Sequence, residues 1–504
     1  MVENAQISTN DLNFMEGIVG YTGGKNIIIF DNPPDSPKLP FSFEEADLNL
    51  YPMAVLKSIN PYDPSRVVNY PQLSDINLTI LLGRARTAFQ SYRLTSFSDR
   101  SKMMNRTAGI LRDRSREYAE MITREMGKPV KESEAEVRKC AWVCEYFAEH
   151  AEEFLRDRVV DTEAEESRVV FQPLGPVLAI MPWNFPFWQV FRCAAPVLMA
   201  GNTLLLKHAS NIQGCAGAIE GIFADAGFEE GVFQNLAIAS DRVAGVIAHE
   251  YVRAVTLTGS EAAGRAVAAQ AGHHLKKCVL ELGGNNAFVI LNDANLELAL
   301  NIALPARLQN GGQSCIAAKR FILESWIAED FVPGLQKRIA RLVIGDPMDE
   351  KTDIGPLSSV KQAEEVEKQV RDSLEKGARL VTGGHRNGAF YEPALVTGVK
   401  PGMPLFDEEV FGPVFAVMEA DSPEHALALS NRSGFGLGMQ LFTQSESIAK
   451  MFIERAEEGA VFVNAMVKSD PRLPFGGVKN SGFGRELSIE GIREFVNIKT
   501  VWID

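Results

Sequence analysis

Three side chains stand where they could do chemistry. Cys315 lies in "NGGQSCIAAKRF", Glu281 in "LELGGNN" and Asn184 in "PWNFPFWQ". A thiol can add to an electrophilic carbon, a partly desolvated carboxylate can serve as a base, and an amide N–H can meet a developing oxyanion. Each also has a structural reading. A lone cysteine usually fills core space, a glutamate usually faces solvent, and an asparagine at a strand end can cap the next helix. Two more candidates follow strands. Lys207 ends "LLLK", where it could meet ribose hydroxyls or a phosphate or simply be solvated. Gly259 and Ser260, in "TLTGSEAAG", form a strand-to-helix turn whose free N–H groups suit a phosphate. That turn matches GxGxxG poorly.

The elements that would position these groups alternate. "VLAIM", "NTLLLK", "VRAVTLTG" and "CVLEL" read as strands. Between them, "FWQVFRCAAPVLMAG", "QGCAGAIEGIFADAG" and "SEAAGRAVAAQAG" read as helices. Apolar strands separated by helices of this length imply βαβ units and a parallel sheet, with ligands bound beyond its carboxyl edge. The alternation resumes between about Asn286 and Asn464 through "RFILES", "FAVMEA" and "GAVFVN", which predicts a second α/β domain. Upstream, a helix capped by Ser98 is expected to carry Met104, Ala108, Leu111, Met121 and Ile122 and to stop at Gly127 and Pro129. A second helix is expected over 132–154. "RVVDTEAEESRVVFQP" reads as a protruding hairpin whose open edges another subunit would pair. Residues 1–55 read as an extension of unassigned role, with one edge strand at "KNIIIF".

Composition removes several classes. A chain of 504 residues exceeds one core and predicts two or three domains. A net charge of −14 argues against nucleic acid and anionic membranes as partners. Six cysteines are too few for a disulfide scaffold, and the seven histidines show no metal-ligand spacing, so no metal is expected. Cys140 and Cys144 read as packing. The acid-rich first 50 residues lack the pattern of a transit or signal peptide, which points to the cytoplasm.

Taken together, "PWNFPFW", "LLLKHAS", "TGSEAAG", "LELGGNN", "NGGQSC", "EEVFGPV" and "PFGGVKNSGFGRE" resemble the aldehyde dehydrogenase superfamily, in order and over residues 55–504. The resemblance implies an α/β fold: a Rossmann-like cofactor domain (56–156 and 173–281), an α/β catalytic domain (282–481) and a small β oligomerisation element (157–172 and 482–504). It implies a homodimer or homotetramer that oxidises a small aldehyde with NAD or NADP. By the same resemblance Cys315 is the nucleophile, Glu281 the general base and Asn184 the oxyanion-hole amide. Trp183, Lys207, Gly259 and Ser260 line the cofactor cleft, and Glu409 and Phe411 hold the nicotinamide ribose and ring. Relatives that pass the acyl group to coenzyme A lack the glutamate, so Glu281 favours a free acid product.

"RLTSFSDR", "KSDPRLPFGG" and "SGFGRELSIEGIREFVNIKTVW" resemble the succinate-semialdehyde dehydrogenase branch. Its substrate carries a distal carboxylate, and Arg192 occupies the offset of the branch's clamping arginine. A surface salt bridge is the alternative reading of Arg192. The branch's second arginine is replaced here by Gln309, and Lys468 or Arg472 is expected to supply the missing charge. Ser210 stands where NAD-preferring members place a glutamate, which predicts that NADP is accepted alongside NAD. Two rivals remain: the same chemistry on an aliphatic, aromatic or amino aldehyde, and a cofactor-independent cysteine hydrolase or acyltransferase.

Overall fold

The computed structural model describes residues 54–504 and, before them, the strands Val19–Thr22 and Lys25–Ile28. Those two strands pair antiparallel, Val19 opposite Ile28, so the strand expected at "KNIIIF" belongs to a local hairpin. The expected loop "DNPPDSPKLP" lies outside the described residues.

The first large sheet follows the predicted alternation. Its strands run in the order Gly482–Phe483, Lys277–Glu281, Ala254–Thr258, Pro176–Met181, Thr203–His208 and Phe233–Asn235. All neighbours are parallel except Gly482–Phe483, which joins antiparallel at the edge. The two-residue period of the strands divides two cores. Val177, Ala179, Leu204 and Leu206 face the helices Phe97–Asp113, Val130–Phe154, Trp188–Met199 and Gln213–Asp225. Leu178, Leu205, Val255 and Leu280 face the helices Asp75–Tyr92, Val243–Ala248 and Glu261–His273. Burial on both faces explains why these strands read as continuous apolar runs.

A second, seven-stranded sheet spans Asn286–Ile290 to Val461–Val463, with an antiparallel edge strand at Arg379–Thr382. The third sheet joins Arg158–Val159, Glu166–Pro173 and Val496–Ile503, with Val496 opposite Pro173 and Ile503 opposite Glu166. The hairpin and the C-terminal strand therefore share one sheet. The short strand Gly482–Phe483, expected with the oligomerisation element, pairs instead with the edge of the first sheet.

Two helix expectations change. Ser96, not Ser98, caps the helix Phe97–Asp113 by accepting from the Asp99 N–H. The chain then breaks at Arg114 before Ser115–Met126, which ends on Gly127 at φ 86°. The next helix begins at Val130, just after Pro129, earlier than expected. Cys140 and Cys144 are fully buried in it as packing residues.

Candidate active site

The carboxyl edge of the first sheet gathers the predicted groups. Lys207 is level with Ile180, Ile180 with Leu257, and Thr258 with Glu281. The chain leaving Met181 delivers Asn184 to the same edge. Asn184 does not cap the helix Trp188–Met199. The Glu136 carboxylate does that work, accepting from the N–H groups of Phe187 and Trp188 at 2.8 and 2.9 Å.

Cys315 reaches this edge from the second sheet on a tightly held loop. After the helix Leu296–Leu308 the chain passes through three consecutive positive φ angles: Asn310 at 55°, Gly311 at 59° and Gly312 at 79°. A Cβ on Gly312 would lie 2.5 Å from the Gly412 carbonyl, so no other residue fits there. The Asn310 amide donates to the carbonyls of Asn184 and Gln313, and its N–H donates to Glu132. Lys319 then donates to the carbonyls of Ser314 and Cys315, both at 2.8 Å. The Cys315 N–H has no acceptor among the described residues, and the Asn184 amide donates to the Gln313 carbonyl at 3.0 Å from the same loop.

Cys315 stands where two cavities meet. One, of about 420 Å³, is lined by Phe185, Trp188, Arg192, Gln309, Met466 and Phe475 among others. The other, of about 520 Å³, is lined by Trp183, Asn184, Gly259, Ser260, Glu409 and Phe411 among others. Burial pushes the Cys315 thiol up to about 11. Burial also raises the Glu281 carboxyl well above the usual range; Arg192 pulls against that shift and Glu486 adds to it. Neither Glu281 oxygen accepts a hydrogen bond from the described residues. A buried carboxylate without partners is costly, and such groups concentrate where chemistry is done.

The second cavity and the sheet edge beside it carry the parts of a cofactor cleft: Gly259, Ser260 and Lys368 line the cavity along with the carboxylates Glu365, Glu408 and Glu409, and Lys207 and Ser210 lie on the neighbouring strand end and turn. Lys207 is 6% exposed and has no ion-pair or hydrogen-bond partner among the described residues. Ser210, half-buried in the turn after that strand, places no carboxylate nearby. Ser260 caps the helix Glu261–His273, and Gly259 and Ser260 line the cavity at that helix's start, the end that favours negative charge. Trp183 and Phe411 meet edge to face at 5.8 Å. Glu409 turns inward, accepting from the Gly284 N–H at 3.0 Å and pairing with Lys319 at 3.2 Å.

On the other side, Arg192 lines the first cavity but is no surface residue. It is almost fully buried, ion-paired to Glu486 and bonded to Thr258 at 3.2 Å. Gln309 lines the same cavity with an unpartnered carbonyl oxygen. Lys468 and Arg472 do not. Both are exposed, and Arg472 is turned back onto Asp470 at 2.8 and 2.7 Å. The expected compensation for Gln309 therefore does not come from that loop.

Sequence reasoning missed Lys139, Lys319, Ser469 and Glu486. Lys139 was signalled by helical spacing: Glu132, Ala135, Glu136 and Lys139 form one stripe that lines the cavity.

The Aldehyde dehydrogenase family model matches residues 52–501. The chain belongs to the aldehyde dehydrogenase family. Among curated family members, a probable NADP(+) succinate-semialdehyde dehydrogenase of Synechocystis sp. is 48% identical over 89% of this chain and 99% of its own length. The NAD(P)+ succinate semialdehyde dehydrogenase Sad of Escherichia coli is 46% identical over 89% of this chain and 97% of its own. The crystal structure of succinic semialdehyde dehydrogenase from Streptococcus pyogenes, in complex with NADP+, superposes with a TM-score of 0.87 at 37% identity, covering 89% of this chain and 99% of that one. The α/β architecture of this aldehyde dehydrogenase is thus the fold that the resemblance implied. Among the described residues no helix is long and apolar enough to cross a membrane.

Proposed function

We propose that the protein oxidises succinate semialdehyde to succinate with NADP or NAD, through a thioester on Cys315. The observation that carries this reading is Cys315 at the junction of two cavities, one lined by Arg192 and the other by the strand-to-helix turn Gly259–Ser260. The relatives named above support the substrate. Ser210, without a carboxylate to repel a 2′-phosphate, supports use of NADP.

Each group has a part. Lys207 and the helix turn at Gly259–Ser260 would hold the cofactor's ribose and phosphates, and Trp183, Glu409 and Phe411 would hold its nicotinamide end. Bound nicotinamide supplies a hydride acceptor. The Cys315 thiol passes its proton to solvent water, and the sulfur adds to the aldehyde carbon, giving a tetrahedral oxyanion. The Cys315 N–H and the Asn184 amide stabilise that charge, a single such donor being worth about 3–4 kcal/mol. The oxyanion collapses, hydride leaves the carbon, and the acyl group remains on sulfur. Glu281 takes a proton from water as that water attacks the thioester; the C–S bond breaks, succinate leaves, and the proton on Glu281 returns to the Cys315 sulfur. Arg192, paired with Glu486 and bonded to Thr258, lines the substrate cavity as part of its wall.

The protein acts as a cytoplasmic homodimer or homotetramer. Ile498 and Trp502, exposed on a sheet with open edges, support association through that sheet. A second substrate reading, a longer uncharged aldehyde, draws on the apolar wall of Leu304, Leu308, Met466 and Phe475. A cysteine hydrolase lacks support, since no histidine lines either cavity. Absorbance at 340 nm with a panel of aldehydes and both cofactors tests the reading. Succinate semialdehyde should give the highest kcat/KM; a preference for butanal or hexanal overturns it.

A further inference from the structure

The cavity on the substrate side is lined by charges that are already committed, with one exception. Glu132 accepts from the Asn310 N–H, and Glu136 from Phe187 and Trp188 while it pairs with Lys128. Asp353 pairs with Lys131 at 2.8 Å. Arg192 is paired with Glu486. Lys139 alone among the lining cations has no carboxylate partner within the described residues. Its ammonium sits 4.0 Å from the centre of the Trp188 ring and donates to the Ser469 hydroxyl at 2.8 Å.

We propose that Lys139, with the Ser469 hydroxyl, binds the substrate carboxylate remote from the reacting carbon and supplies the charge that Gln309 does not. The inference rests on the succinate-semialdehyde reading above. Three observations converge on it. Lys139 and Arg192 line one cavity, and their mutual repulsion is relieved by an anion between them. Ser469 accepts from the ammonium and so keeps its own O–H to donate. The Gln309 amide lines the same space, where its N–H groups complete a neutral-plus-cationic receptor.

The groups that act on Lys139 are Arg192 from the helix Trp188–Met199, Glu136 and Cys140 on its own helix, and Asp470 beside Ser469. Burial first, then Arg192, brings its ammonium down to about 8. The cation is present below that pH and lost above it. The wild-type kcat/KM for succinate semialdehyde should therefore fall as pH rises through that value, while that for butanal should show no such limb.

The test compares wild type, Lys139→Met and Lys139→Arg on succinate semialdehyde and butanal, with thermal melting to verify folding. Lys139→Met should lower the ratio of kcat/KM for succinate semialdehyde to that for butanal by about 10–100-fold, chiefly through KM, as loss of a charge-assisted hydrogen bond does. Lys139→Arg should restore most of the ratio and move the alkaline limb upward. A folded Lys139→Met with a ratio within about twofold of wild type overturns the assignment and leaves the substrate reading standing. A wild type that does not prefer succinate semialdehyde over butanal overturns both.

Discussion

Arg192 and Glu486 form an ion pair in which both side chains are 2% exposed. The pair joins the helix Trp188–Met199 to the C-terminal segment, beside Glu281. Breaking a buried pair by removing one partner leaves an uncompensated charge, whereas replacing both can be neutral. Glu486→Ala should therefore cost about 3–5 kcal/mol in denaturant unfolding, and Arg192→Met combined with Glu486→Met should recover most of it. A single variant as stable as wild type would contradict the burial of the pair. Activity separates from stability here: the double variant should still lose preference for a carboxylated aldehyde.

Glu281 makes the opposite prediction for stability. Its carboxyl is raised in the folded state, so its stabilising contribution is present below the unfolded value and lost as pH rises through the folded one. At neutral pH the site carries a cost. Glu281→Gln should melt higher than wild type at about pH 7.5, by roughly 1–3 kcal/mol, and the gain should shrink toward about pH 4. The same variant should release a burst of reduced cofactor and then stall, because the thioester persists. Stopped-flow absorbance and a melting series read both effects, and loss of stability at neutral pH would count against an unpartnered carboxylate.

The buried Cys315 thiol gives a third expectation. With its acidity shifted to about 11, the thiolate fraction is small at neutral pH and grows with each step upward. Inactivation by iodoacetamide in the absence of cofactor should accelerate about tenfold per pH unit between about 7 and 10. A plateau near the ordinary thiol value would mean that Lys319 and Arg192 outweigh burial.

Ser210→Glu tests the cofactor side. A carboxylate there would face the 2′-phosphate and repel it, while its oxygens could accept from ribose hydroxyls. The kcat/KM for NADP should fall about 10–100-fold relative to that for NAD. An unchanged ratio would remove Ser210 from the account of cofactor choice.

Much of this site was legible in the sequence because apolar strands end in polar turns, and turns are where side chains enter a cleft. Lys207 and Glu281 stand at the ends of such strands, Asn184 and Gly259 follow them, and the βαβ alternation brings these ends to one edge. Cys315 was harder, because its loop leaves a helix, and its path depends on a packing contact with Gly412 almost a hundred residues away. Charge pairing was harder still. Arg472, expected to supply charge, is held by Asp470, and Lys139 drew no reading because the cavity beside its helix is formed by segments far away in sequence. Ser98 lost the cap to Ser96 because Phe97 already belongs to the helix.

The edge strand Gly482–Phe483 pairs with Leu280 and Glu281, and a Cβ on Gly476 would lie 2.8 Å from the Glu281 carboxylate. The base is thus walled by residues made about two hundred positions after it. During synthesis the chain would expose Glu281 and Cys315 long before the segment that encloses them leaves the ribosome. A nascent chain should therefore carry an accessible thiol but no working catalyst, and competence should arrive only as residues 475–486 fold into place.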